Sequence, residues 1–412
     1  FLLFNWILNN SFLYYYIKML KTLFKSLFAF SLFSSPLSFN PETHIKERIM
    51  SNYSASCLPK SDGINMELGI AFRSFNNIDQ IEGTVESNIW LRYYWHDDRL
   101  KWNYTKSGIN DLIYTTDPQI EQSIWTPDIY LYNTAEQPMS QLQYSRAIVY
   151  HTGDIIWSRP GIIVSTCDFD LQYFPYDIQT CSFKFGSWVY PKSSINLSIY
   201  SVPIDFSNYM ENEGWVVTNS TYELEVKKYA CCPEEYPAVI FNVTLLRKSG
   251  YYDINIVVPT FATATLMVIS MLIPWNSGER ISFAATVMLS IIVFLLILSD
   301  NLPKTDTKPL LSIMLVGLMF FSLGVVFFTV LITAMRNLDD DNVFMRLLDR
   351  WKNKKLKRTR SYSKAMALEK EKEKPYIERL SNYLEVVFTV LFVVAFSAFS
   401  ITAVSLRPDH SS

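Results

Sequence analysis

The chain has 412 residues, 49% of them hydrophobic and 18% charged, with a formal net charge of -2. That length leaves room for two domains, and the apolar share is high for a purely soluble protein. Near-neutrality leaves no basic excess to neutralise phosphates, which argues against a nucleic-acid partner. Lys and Arg crowd into 346–379, whereas 250–334 is almost without charge.

The first Met is Met19, followed by a basic start (Lys21, Lys25) and a short apolar run over Ser26–Ser34. We read Met19 as the start and 1–38 as upstream sequence plus a secretory signal peptide. A membrane anchor is the alternative, but the run after Lys25 is too short to span. Five cysteines divide into Cys167 with Cys181, the neighbours Cys231 and Cys232, and the single Cys57. This usage suits an oxidising, secreted compartment, with Cys57 a buried or unpaired thiol. Asn-x-Ser/Thr triplets at Asn52, Asn103, Asn196, Asn219 and Asn242 are candidate glycosylation sites that agree with exposure outside the cell.

From 39 to 248 short alternating runs are broken by Gly, Pro and Asp. Asn88–Trp95 and Phe241–Leu246 alternate as half-buried strands do. The region predicts an extracellular antiparallel β-sandwich. A helix over Pro41–Met50 is expected before the first strand, with Asn40 capping it and Pro41 at its first position.

After Arg247 the character changes. Residues 253–275, 281–302, 310–334 and 383–406 are each apolar for about twenty residues, enough to cross a bilayer as a helix. They predict a four-helix transmembrane bundle, three spans within 249–334 and a fourth at 383–406. Pro259 lies near the start of the first span, where a membrane helix tolerates it. The basic loop 335–382 belongs in the cytoplasm by the positive-inside bias, which leaves the 39–248 domain and the tail 407–412 outside. Within that loop, 343–356 reads either as an amphipathic helix on the inner surface or as a solvated basic linker.

Two cysteine patterns stand out. A bridge between Cys167 and Cys181 would close a loop around Phe174-Pro175-Tyr176-Asp177, stiffened by Pro175 and apolar at its tip. Such a wedge suits a contact with membrane helices, although a plain structural disulfide is equally open. Bridging Cys231 to Cys232 requires local strain, because consecutive α-carbons lie only about 3.8 Å apart. Free or differently paired thiols are the other reading.

The second span has a periodic stripe. Glu279, Ser282, Thr286, Leu289, Val293, Ile297 and Asp300 recur by threes and fours, so they share one helix face. Hydroxyls occupy one half, aliphatics the middle, and carboxylates both ends. A pore wall explains this order, and helix packing can also place Ser and Thr on one face.

Taken together these motifs, with Trp125-Thr-Pro-Asp-Ile-Tyr-Leu-Tyr-Asn133, Phe185-Gly-Ser-Trp188, Trp90–Trp95, Tyr229–Tyr236 and Gly278-Glu-Arg280, resemble the Cys-loop pentameric ligand-gated channels, specifically nicotinic acetylcholine receptor subunits. The resemblance covers about 40–334 and the last span. It implies a plasma-membrane, postsynaptic location and five identical or homologous subunits around a pore, with agonist sites between neighbouring outer domains. The vicinal pair marks alpha-type subunits in that family.

By the same resemblance Tyr132, Trp188, Tyr229, Tyr236 and the Cys231-Cys232 loop form the principal face of the site. Trp95 matches the complementary face, with Ile148, Ile156 and Ser158 as further expectations there. A quaternary ammonium offers no conventional hydrogen bond, and electron-rich ring faces are its natural partners. Two features depart from the family: Val189-Tyr-Pro-Lys192 stands where relatives have small residues, and Lys192 would oppose a cation. Choline, betaine or a biogenic amine therefore stands beside acetylcholine as the expected ligand.

Five copies of the stripe would form rings with acidic mouths and an apolar girdle at Leu289 and Val293. Glu279 directly after Gly278 lacks the insertion found in anion-selective relatives, so cation selectivity is expected, with Arg280 pointing away from the ion path. Arg247, Phe174 and Pro175 are expected to couple the outer domain to the Ser299–Asp306 linker, which is one residue shorter than usual. In relatives the partner of Arg247 is a Glu between the first two strands; the matching position here is Gln80, beside Asp79 and Glu82. The rival readings are an anion channel of the same superfamily and a non-conducting accessory or binding subunit. No cofactor or metal is called for, and no nucleophile–base spacing points to an enzyme.

Overall fold

The computed structural model describes residues 14–22, 41–137, 142–273, 278–304 and 308–336, and within the fourth span 382–383, 385–391, 393–394 and 397. Expectations for the apolar leader run, Asn40, the basic loop with its 343–356 segment, most of 383–406 and the tail lie outside the described residues.

The helix Pro41–Met50 forms as its sequence predicts, burying Ile45. Ten strands follow among the described residues: β1 Ile64–Asp79, β2 Thr84–His96, β3 Asp111–Thr115, β4 Ile129–Leu131, β5 Arg146–Tyr150, β6 Asp154–Thr166, β7 Ile178–Ser187, β8 Ile195–Asp205, β9 Trp215–Lys228 and β10 Glu235–Arg247. Their hydrogen-bonded orders are β3-β5-β6-β2-β1-β8 and β4-β7-β10-β9. Most pairing is antiparallel, but β1 runs parallel to β8, from Ile64 opposite Ile195 to Ala71 opposite Asp205. The chain forms two compact units: Phe1–Ser61, Trp95–Thr126 and Arg146–Ile156 in one, and Asp62–Tyr94, Pro127–Ser145 and Trp157–Ser412 in the other.

The first unit is organised by a buried carboxylate. Asp97 receives Arg99 in a fork, Nε to Oδ1 at 2.9 Å and Nη2 to Oδ2 at 2.8 Å, and accepts the Tyr53 hydroxyl at 3.0 Å. That hydroxyl in turn accepts the Trp125 backbone N–H at 2.9 Å. Burial, with the nearby Asp97 charge, pushes the Tyr53 phenol well above its ordinary range. Of the two expectations for Cys57, the unpaired thiol holds and the buried one does not: it is free and exposed.

The second unit contains an outer β part and the apolar helices. Phe72 stacks on Phe75 and Phe206 at centroid distances of 5.2 and 5.4 Å and meets Phe183 at a tilt, 5.2 Å away. Among the described residues three helices are long and apolar enough to cross a membrane: Gly250–Ser270, Glu279–Asp300 and Leu310–Ala334. The first starts before the expected 253 and contains one π turn, Asp253–Val257. Pro259 explains it: the ring lacks an N–H and crowds the preceding turn, so the helix widens there. The Thr260 hydroxyl takes up the Ile256 carbonyl at 2.7 Å. Gly278, at φ 71°, opens the second helix in a conformation that side chains resist. Of the fourth span, Phe388 stacks on Phe328 at 4.5 Å with planes 13° apart.

His96 sits between Asp154 (Nδ1, 2.7 Å) and Asp98 (Nε2, 3.1 Å). Partial burial works against its charged form, but the two carboxylates prevail and its pKa is raised above 6.5. A raised folded-state pKa contributes stability that is complete below 6.5 and is lost as pH climbs through the folded value. The thermal midpoint should therefore decline over that window, and His96→Gln should flatten the decline in a melting series against pH.

Candidate functional site

Four strand ends of the β4-β7-β10-β9 sheet carry the aromatic residues expected on the principal face. Tyr132 follows β4, Trp188 follows β7, Tyr229 follows β9, and Tyr236 is the second residue of β10. Tyr132 and Trp188 meet edge to face at 6.3 Å, and Tyr229 and Tyr236 do so at 5.9 Å. The Tyr132 phenol is pushed well above its ordinary range, first by burial and then by Tyr229, Asp128 and Tyr236 close by. Cys231 and Cys232 are bridged at the tip of the β9–β10 hairpin, and the Cys232 N–H returns to the Tyr229 carbonyl at 3.2 Å.

The positions of these rings follow from two local devices. Asp128 accepts the Ser187 hydroxyl at 2.5 Å and the Val189 N–H at 2.7 Å, folding the turn that presents Trp188. Burial pushes its carboxyl above the usual range although those two donors hold it down. Tyr132 donates its hydroxyl to the Ser187 carbonyl at 2.5 Å and lies over Gly186, where an added Cβ would come within 2.6 Å of the ring. Trp188 is left 59% exposed, its face open. Such a site offers π faces to a cation. Lys192 is offset by Glu235, with Nζ 4.0 Å from Oε2 and its backbone N–H bonded to the Glu235 carbonyl at 2.8 Å.

Trp95 does not belong to an exposed face, and that expectation is corrected. It is 1% exposed and packs edge to face on Trp125 at 6.2 Å. The indole that β2 turns outward is Trp90, 38% exposed, with the Arg73 guanidinium 4.5 Å over its ring. Strand parity was the available signal: Ile89, Leu91 and Tyr93 mark the buried face, and Trp95 shares their parity while Trp90 does not. Ile148 is exposed on β5; Ile156 and Ser158 are half-buried on β6.

The second helix has a buried face and a broader exposed one, which also includes Ala285, Leu296 and Ser299. Ala284, Val287, Ile291 and Leu298 are buried, while Glu279, Ser282, Thr286, Leu289, Val293, Ile297 and Asp300 are all exposed in the single chain. Thr286 donates its hydroxyl to the Ser282 carbonyl at 2.8 Å.

The Cys167–Cys181 bridge closes its loop, and Phe174 at the loop tip packs on Tyr252 at 4.8 Å, next to the cis Pro175. Tyr176 hydrogen-bonds the Asp253 carboxylate, and the Leu310 N–H reaches the Gln172 carbonyl at 3.0 Å. Arg247, the last residue of β10, is 6% exposed. Its Nε and Nη2 hold the two oxygens of Asp177 at 2.7 and 2.9 Å, and Nη2 also reaches Gln80 Oε1 at 2.6 Å. Its main partner is thus Asp177 of the disulfide loop, a residue that sequence reasoning left out. Gln80 donates from Nε2 to the Asn301 carbonyl at 2.6 Å, at the start of the linker after the second helix.

Aromatic residues at the ends of a β sheet, joined through a buried arginine to apolar helices of membrane-spanning length, define a membrane protein with a β domain set on its helices. The profile of the neurotransmitter-gated ion-channel ligand binding domain matches residues 42–249, and that of the neurotransmitter-gated ion-channel transmembrane region matches 256–384. The chain belongs to the neurotransmitter-gated ion-channel family. It is 32% identical over 311 residues to the acetylcholine receptor subunit alpha-type acr-15 of Caenorhabditis elegans, covering 74% of this chain and 64% of that one. It is 32% identical to subunit alpha-L1 of Schistocerca gregaria (72% and 54% covered) and 33% identical to neuronal subunit alpha-6 of Mus musculus (67% and 56%). The chain thus spans between about half and two thirds of the length of these relatives.

Asp128→Ala should strand the Ser187 hydroxyl and the Val189 N–H, which costs about 1–3 kcal/mol. The measurement is thermal unfolding of the full chain, where a midpoint below wild type is expected.

Proposed function

We propose that this chain is an alpha-type subunit of a cation channel opened by acetylcholine or a related quaternary amine, acting as one of five subunits in a plasma membrane. What supports this reading most is the pair of ring contacts, Tyr132 with Trp188 and Tyr229 with Tyr236, at the ends of strands of one sheet whose β9–β10 hairpin carries a vicinal disulfide. Each ring face contributes roughly 0.5–2 kcal/mol toward a methylated ammonium, so several together give useful affinity. Trp90, rather than Trp95, supplies the ring that a neighbouring subunit would receive. Agonist favours the state in which the Cys231-Cys232 hairpin lies over the cage, and that difference in affinity shifts the population toward open pores.

The exposed stripe of the second helix lines the conducting path. Glu279 and Asp300 concentrate cations at its mouths, and Leu289 with Val293 forms the constriction. The signal travels down β10 to Arg247 and onward through Gln80 and the Phe174 loop. Asn52, Asn103, Asn196, Asn219 and Asn242 remain the proposed glycan acceptors.

Voltage clamp of cells expressing the full chain tests both halves. Trp188→Ala and Trp90→Ala should each right-shift agonist potency by about tenfold or more, the equivalent of 1.4 kcal/mol, at unchanged surface expression; unshifted curves would remove the cage. Glu279→Gln should lower unitary sodium current, and an unchanged conductance would remove the inner acidic ring.

A further inference from the structure

Arg280 lies one residue after Glu279 at the head of the second helix, yet it is 1% exposed. Its Nη1 contacts Glu385 Oε1 of the fourth span at 2.5 Å, and its Nη2 lies 3.1 Å from the Met271 sulfur. The Glu385 side chain is 23% exposed. A guanidinium cannot shed its proton in a protein, so burial at membrane depth requires a counter-charge. Glu385 supplies it from a helix that contributes nothing to the polar stripe. Without that carboxylate the long side chain would turn toward the nearest water. With Glu279 exposed one position earlier and Ser282 two positions later, that water lies at the inner mouth of the proposed path.

We propose that Glu385 is a positioning residue that holds the Arg280 charge out of the ion path, so that the fourth span sets the permeation electrostatics without lining the pore. This rests on the cation-channel reading above. The two partners differ in a way that makes the pair testable. Removing Arg280 leaves a carboxyl that can neutralise itself by taking up a proton, whereas removing the carboxylate leaves a charge with no such escape.

The experiment is single-channel recording from the full chain. Glu385→Gln should lower unitary sodium conductance by about twofold or more and move the reversal potential toward chloride in dilution. Arg280→Gln alone and the double variant Arg280→Gln/Glu385→Gln should conduct like wild type. Wild-type conductance in Glu385→Gln, or a marked rise in Arg280→Gln, would overturn the proposal. Should Glu385→Gln fail to reach the surface, recovery of surface protein and conductance in the double variant supports it, and absence of recovery refutes it. A wild-type chain that passes no current under any agonist sinks the channel reading instead. Thermal melting then decides the pair: a midpoint lowered in Glu385→Gln and restored in the double variant upholds the contact, and an unrestored midpoint rejects it.

Discussion

The buried guanidinium of Arg247 is the constraint on which the second unit depends. It ends β10 and stands three residues before the first membrane helix, so chain direction, sheet and bundle meet at one side chain. Asp177 grips it in a fork, and the rings of Trp215 and Phe174 lie 4.2 and 4.9 Å from its carbon. Removing one partner of such a buried pair costs about 3–5 kcal/mol, because the other charge remains without water. The disulfide loop that carries Asp177 is therefore tied to the strand end as much by charge as by its bridge.

The same strand carries Tyr236 near its other end. At about 3.3 Å per residue, β10 separates Tyr236 from Arg247 by about 36 Å. Its central residues Val239, Phe241, Val243 and Leu245 are buried, and it pairs with β7 and β9 along its length. A strand held on both sides moves as a body rather than bending locally, so a displacement of the β9–β10 hairpin has a mechanical route to the junction. Trp188 follows β7, the partner of that strand, so its ring and Arg247 are carried by one sheet.

Most of this architecture was legible from pattern. Alternation marked the strands, twenty-residue apolar runs marked the helices, and periodic spacing picked out residues that the second helix leaves exposed. The errors came where a motif was matched without its parity. Trp95 and Trp90 lie an odd number of positions apart on one strand and so cannot share a face; the Ile89, Leu91, Tyr93 series already showed which side was core. Arg247's principal partner was hidden for a different reason. Asp177 lies seventy positions upstream, and only the folding of the disulfide loop beneath the sheet brings it close. Glu385 was likewise invisible, since one carboxylate in an apolar span names no partner until the helices are packed.

Gln80 has a consequence of its own. A carboxylate at that position would accept from Arg247, but in its ionised form it has no hydrogen for the Asn301 carbonyl. The amide does both, facing a cation with its oxygen and a peptide oxygen with its nitrogen. The link from the β1–β2 turn to the linker thus runs through a neutral relay, whose strength dissolved salt screens far less than it would an ion pair. A junction held this way rests on directional bonding, and its integrity belongs to geometry more than to the ionic composition of the medium around it.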